Sequence, residues 1–168
     1  MTNHIIYKTH DCNSRSTFLG VTIKQESVAR INPEEVVRKL LAAYARNDIE
    51  GVVATLDPNY VVYGPFAGKA EGIEAGRKTY ETILKAFTGQ EIKILNVMTK
   101  GDTVASEYMW SATFTGPLQT SQGTLPPNGR RIEYAAAEYF RVNSKGLITE
   151  ERAYYDSYGM VKQLTAKT

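Results

Sequence analysis

The stretch GRRIEYAAAEYFRVNSKGLITEERAYYDSYGMVKQL, residues 129–164, leaves few ways to fold. Arg131 to Val142 is rich in β-branched and aromatic residues and predicts a long strand. Asn143-Ser144-Lys145-Gly146 supplies turn chemistry, with Gly146 free to take a positive φ. Leu147 to Tyr155 returns as the partner strand. Asp156 stands where an N-cap belongs, before a short amphipathic helix carrying Met160, Val161 and Leu164. A hairpin of this length needs a further layer to bury one face. Inside its apolar run, between Ala135-Ala136-Ala137 and Tyr139-Phe140, lies one acid, Glu138.

Upstream segments supply that layer. Asn32-Pro33-Glu34-Glu35 is a helix start, with Asn as cap, Pro in the first turn and Glu35 at the capping-box position. Val36, Val37, Leu40, Leu41 and Tyr44 follow at helical spacing. Asn47-Asp48 breaks this helix, and Asp48 caps a second one over Ile49 to Leu56, which Asp57-Pro58 stops. Tyr60 to Phe66 reads as a strand, Gly68 to Gly72 as a loop, and Ile73 to Phe87 as a third helix with Ile73, Tyr80, Ile83, Leu84 and Phe87 inward. Glu91–Lys100 and Thr103–Thr115 are strands joined at Gly101-Asp102. The second alternates, with Val104, Tyr108, Trp110, Ala112 and Phe114 on one face and Glu107, Met109, Ser111 and Thr113 on the other. Gly116 to Asn128 is a Pro- and Gly-rich loop.

Helices followed by a run of strands predict α+β: a single cone-shaped domain, with a curved antiparallel sheet wrapped around N-terminal helices and an internal apolar pocket. Residues 1–31 read as an extension or arm, in which Phe18 to Ile23 is a candidate short strand, and residues 32–168 as the domain.

The 168 residues fit one domain with a sizeable core. The net charge is +2 with acids and bases interspersed, so no nucleic-acid footprint stands out. No apolar run reaches membrane-spanning length, and the first residues lack the apolar middle of a signal peptide. With one cysteine, Cys12, an internal disulfide framework is excluded and a cytoplasmic location is expected. His4 and His10 are the only histidines, so metal or triad chemistry in the domain would require the arm to fold back. His4, His10 and Cys12 are either a metal site or part of a loosely ordered arm. With no Gly-rich phosphate loop and no ligand cluster, no cofactor and no metal are expected.

Several pieces together resemble the SnoaL-like polyketide cyclases, within the nuclear-transport-factor-2-like superfamily that includes ketosteroid isomerase and limonene epoxide hydrolase. These are LLAAYARNDIEGVVATLDPNYVVYGP, Gly101-Asp102-Thr103-Val104, Leu125-Pro126-Pro127-Asn128-Gly129-Arg130, Lys145-Gly146-Leu147-Ile148 and Asp156…Gln163-Leu164. The resemblance covers about residues 33–165. It implies the cone fold, a hydrophobic small-molecule substrate and a homodimer paired through the sheet's convex face. It also exposes departures. The isomerases' general base is replaced by Gly64, and their helix-borne oxyanion-hole Tyr by Leu40, here a candidate pocket residue. The epoxide hydrolases' Arg and first Asp become Tyr108 and Trp110, and their second Asp falls near Ala153. The cyclases' Gly-Thr-His-x-Gly becomes Ala112-Thr113-Phe114-Thr115-Gly116. Glu138 alone keeps an acid, at the isomerases' protonated oxyanion-hole position.

Glu138 is therefore the leading catalytic candidate. Facing the pocket, it is either a neutral proton donor or an ionised base; facing solvent, or paired with an Arg, it is neither. Asp156 is an acid/base candidate by resemblance, and a helix cap by position. Tyr63 resembles a pocket-lining position in the epoxide hydrolases and is the oxygen-orienting candidate, with Tyr155 beside it; as core it needs only a hydroxyl partner. Tyr108, Trp110 and Phe114 form either an apolar substrate wall or ordinary sheet packing. The functions to separate are a cofactor-free cyclase or isomerase acting on a hydrophobic carbonyl compound, an epoxide hydrolase, and a non-catalytic binding or dimerisation module.

Overall fold

The computed structural model describes residues 31–65, 68–120 and 123–166. Of the arm expected over residues 1–31, all but Ile31 lies outside them, including Phe18 to Ile23, His4, His10 and Cys12. Helix α1 (Pro33–Ala45) starts as its sequence dictates: the Asn32 side chain accepts from the Glu34 amide at 3.1 Å and donates to Glu35 at 3.2 Å. Its apolar stripe, Val36, Val37, Leu40, Leu41 and Tyr44, is buried. Asn47 at φ 60 turns the chain, a conformation Asn tolerates better than most residues. Asp48 then caps α2 (Ile49–Val53) by accepting from the Gly51 amide at 2.8 Å.

Helix α2 is shorter than expected, because strand β1 (Leu56–Gly64) already begins at Leu56. Pro58 is tolerated in that strand because the register with its neighbour shifts between Leu56 and Val61. The segment read as a loop is a strand, β2 (Gly68–Glu71), antiparallel to β1. Its Gly-Lys-Ala-Glu composition carries no β signal; the edge of β1 imposes the conformation. Helix α3 (Ile73–Ala86) buries Tyr80 and Leu84. The strands β3 (Phe87–Lys100) and β4 (Thr103–Phe114) form a long antiparallel pair. The Pro- and Gly-rich loop contains a small hairpin, β5 (Leu118–Thr120) with β6 (Gly123–Leu125), which pairs Leu118 with Leu125.

Strands β7 (Arg131–Val142) and β8 (Ile148–Tyr155) form the expected long hairpin. Asn143 Oδ1 accepts from the Lys145 and Leu147 amides, and Gly146 takes φ 76 in the turn. Helix α4 (Ser157–Thr165) follows, capped by Asp156 onto the Gly159 amide at 2.8 Å. The main sheet runs β2-β1-β8-β7-β4-β3. It is mixed rather than wholly antiparallel, because β1 lies parallel to β8. Parallel neighbours require a long crossover, here supplied by the intervening chain. The result is an α+β domain with a curved sheet closed by helices. Inward alternation on β4 and β7 brings Tyr108, Trp110, Phe114, Ala136, Glu138 and Phe140 to the covered face.

Candidate active site

A cavity of about 380 Å³ opens between the sheet and α3. It lies within the size range of small-molecule sites, about 300–1,000 Å³. Its walls are phenolic: Tyr44 from α1, Tyr80 from α3, Tyr108 from β4, Tyr134 from β7 and Tyr155 from β8. Val62, Gly64 and Ala153 give it small apolar floor positions, and Lys78, Gln119 and Thr120 line it from α3 and the β5–β6 hairpin. Two carboxyls, Glu138 and Glu151, project into it.

Both acids are buried, at 8% and 5% relative exposure. Burial pushes the Glu138 carboxyl well above the usual range. The neighbouring Glu151 charge pushes the same way, while a hydrogen bond from Tyr108 opposes both. Burial also raises Glu151, against hydrogen bonds from Tyr60 and Tyr80 that favour its charged form. These two hydroxyls donate to the same oxygen, Glu151 Oε2, at 2.5 and 2.6 Å. Burial, followed by its phenolic and carboxyl neighbours, raises the Tyr44 hydroxyl. The Tyr108 and Tyr155 hydroxyls are likewise held up, by burial first and then by Glu138. The wall therefore presents neutral donors at physiological pH.

Of the sequence candidates, Glu138, Tyr108 and Tyr155 meet in this cavity. The others lie elsewhere. Tyr63 alternates with the cavity residues Val62 and Gly64, so it points to the opposite face of β1, where the Arg152 guanidinium lies 4.4 Å from its ring centre. Trp110 is 1% exposed in the core; its Nε1 donates to Gln90 Oε1 at 2.9 Å, and Gln90 donates to Asn47 at 2.7 Å. It reaches the site only through Tyr134, which packs on it at 5.0 Å and stacks on Tyr155 at 4.9 Å. Phe114 packs against Phe87, and Leu40 is buried in the core and does not line the cavity. Asp156 is exposed and serves as the α4 cap.

Sequence reasoning missed Glu151 and its clamp. The register between β7 and β8 shifts between Arg141 and Val142, leaving Thr149 with no residue opposite it in the ladder, although its hydroxyl donates to the Arg141 carbonyl at 3.3 Å. Alternation counted from buried Ile148 turns Glu150 inward; the extra residue reverses this and brings Glu151 in. Counting back from Tyr155 would have found it. Ser106 was also missed. It stands opposite Glu138 across the β4–β7 pair, and its Oγ is buried without a hydrogen-bond partner. Among the described residues, no group of three or more His, Cys, Asp and Glu is placed to hold a metal, and no helix is long and apolar enough to cross a membrane.

The chain resembles several solved structures. A protein assigned as a SnoaL-like polyketide cyclase from Jannaschia sp. CCS1 superposes with a TM-score of 0.73 at 19% identity, over 86% of this chain and 99% of that one. TsrD from Streptomyces laurentii gives 0.67 at 22% identity, covering 86% and 99%. An LEH-like epoxide hydrolase from M. tuberculosis gives 0.61 at 22%, covering 79% and 88%. At such identities the likeness is one of fold. No curated protein sequence matches at a significant level. The family profile described as SnoaL-like polyketide cyclase matches residues 34–164, and the chain belongs to that family.

Proposed function

We propose that this protein is a cofactor-independent cyclase- or isomerase-type enzyme acting on a hydrophobic, carbonyl-containing intermediate of the polyketide or terpenoid kind. One observation carries the reading: the Glu138 carboxyl is buried in a cavity walled by tyrosines and held well above the usual carboxyl range. A neutral carboxylic acid in a dry pocket donates a hydrogen bond or a proton to a substrate carbonyl where charge develops. The aromatic wall holds a flexible chain folded, and such orientation removes entropic cost from the barrier. Glu138 is the proton donor, while Tyr108 and Tyr155 orient the substrate oxygen. The outer sheet face, with Tyr139 at 48% and Tyr154 at 54% exposure, is where two copies would pair.

The test is Glu138→Gln against a panel of linear and bicyclic 1,3-diketones, with binding followed by the fluorescence of the single tryptophan beside Tyr134. Turnover should fall about 10²–10⁴-fold, the usual share of general acid–base catalysis, while binding persists. Unchanged turnover removes Glu138 from the chemistry. Binding without turnover in the unmodified protein favours a non-catalytic binding module. Epoxide hydrolysis has one observation in its favour: Glu151 supplies a buried carboxylate two residues from Ala153, near the position of the hydrolases' second Asp. Reaction of an epoxide in heavy-oxygen water separates the readings, since only hydrolysis puts solvent oxygen into the product.

A further inference from the structure

Glu138 faces a second acid whose surroundings differ from its own. Phe140 pairs with Glu151, and Glu138 with Ala153, so the two glutamates are diagonal neighbours on one face of the hairpin. Such neighbours lie roughly 7–8 Å apart between Cα atoms, which leaves room for one substrate functional group. The Tyr60 and Tyr80 hydroxyls converge on Glu151 Oε2 at 2.5 and 2.6 Å. Each phenol has one proton to give, so an oxygen receiving both acts purely as an acceptor. O–H···O contacts of that length are typical of an ionised acceptor, at about 2.5–2.7 Å. The clamp is rigid. Tyr60 is 0% exposed, and the Gly76 backbone lies so close that a Cβ there would fall 2.7 Å from its ring. Two like charges in one buried cavity are strongly disfavoured. With donors concentrated on Glu151, the proton goes to Glu138.

We propose that Glu151, held ionised by Tyr60 and Tyr80, is the proton-abstracting base of this cavity, and that Glu138 is the neutral acid working with it on one carbonyl substrate. This rests on the enzymatic reading above and assigns the second half of its chemistry. The C–H bond beside the carbonyl breaks and its proton moves to Glu151. The bonding pair becomes the enol C=C bond, the carbonyl π pair moves onto oxygen, and Glu138 gives that oxygen its proton. Where the broken C–H lies between the carbonyl and a C=C bond, the enol is a dienol: return of the proton from Glu151 to its far carbon shifts the C=C bond into conjugation, the C=O bond reforms as the enol O–H gives its proton back to Glu138, and both acids are restored. Attack by the enol carbon on a second carbonyl of the same molecule closes a ring instead. The new C–C bond forms, the enol oxygen returns its proton to Glu138, and the proton on Glu151 neutralises the new alkoxide. Tyr60 and Tyr80 are positioning residues.

Infrared spectroscopy of the substrate-free protein reads the assignment directly, through the C=O stretch of a protonated carboxyl in a dry site. At neutral pH the unmodified protein should show one such band. The band should be lost in Glu138→Gln and kept in Glu151→Gln. A second band should appear when Tyr60→Phe and Tyr80→Phe are combined, because Glu151 then loses its donors and takes up a proton. Any of four results overturns the proposal: no band, a band lost only in Glu151→Gln, a band lost in both single variants, or no second band in the double variant. With the diketone turned over fastest, Glu151→Gln should lower kcat about 10²–10⁴-fold and abolish the acidic limb of its pH profile; a limb that persists overturns the base role. The spectra need no turnover, so they can fail while the Glu138 activity test succeeds, and the reverse.

Discussion

Replacing Tyr60 by Phe leaves the ring in place and removes one hydroxyl, whose neighbours are Glu151 and the Tyr80 hydroxyl. The hydroxyl donates at 2.5 Å to Glu151 Oε2, and both residues are buried, so solvent screens the contact little. A hydrogen bond to a charged group is worth about 1.5–3 kcal/mol, and one between neutral groups about 1 kcal/mol. The cost of Tyr60→Phe therefore depends on the charge of Glu151. The sign follows from linkage. The folded-state value of Glu151 is raised above its unfolded one. Its site therefore contributes full stability in acid and loses it as pH rises through the folded value. Removing a donor raises that value further and steepens the loss. Urea unfolding of Tyr60→Phe should show a deficit of about 1 kcal/mol in acid, growing to about 1.5–3 kcal/mol above neutrality. Each kcal/mol lowers Tm by roughly 2–4 °C in a chain of this size. A deficit that does not change with pH would refute the reasoning, because Glu151 would then never carry a charge that Tyr60 supports.

The remaining expectations concern neighbouring positions. Glu138 is raised well above its unfolded range, so its contribution is present in acid and lost as pH rises through the folded value. Glu138→Gln should flatten the alkaline decline of Tm, and an identical decline in the variant counts against a buried, titrating Glu138. Gly76→Ala should destabilise despite a helix-propensity gain of about 1 kcal/mol, because the new Cβ meets the Tyr60 ring at 2.7 Å; a higher Tm would mean that the ring moves freely. Asp156→Ala should cost about 1 kcal/mol through the lost helix cap, with Asp156→Asn restoring most of it. Equal losses in the two variants would show that the charge of Asp156, not its capping oxygen, matters.

The long hairpin was legible because its signals are local. Alternation on β7 fixes Tyr134, Ala136, Glu138 and Phe140 on one face, and a charge among them declares itself. The helix starts were equally plain, since Asn32, Asp48 and Asp156 each make the capping bond that their position implies. What could not be read arises from pairing across the chain. Strand β2 has no strand-forming residues, and β5 and β6 lie in a loop-like composition, so only their partners reveal them. The placement of Tyr63 by resemblance failed against strict alternation with Val62 and Gly64. Glu151 was hidden by one residue with none opposite it in the ladder, Thr149, which inverts the parity of everything after it.

The parallel pairing of β1 with β8 has a temporal meaning. Tyr60 and Glu151 are 91 residues apart in sequence, and Tyr80 and Glu151 are 71 apart. Such distant pairings close late, after the local hairpins have formed. During synthesis the N-terminal helices and β1 emerge long before β8, the strand that bears Glu151. The β3–β4 and β7–β8 hairpins need only near neighbours, so they can form first, and insertion of β8 beside β1 is then the event that creates the chamber. A nascent chain stopped before Glu151 has one carboxyl, no clamp and an unpaired edge on β1 exposed to association with other chains. The two-carboxyl cavity thus exists only once β8 has joined β1.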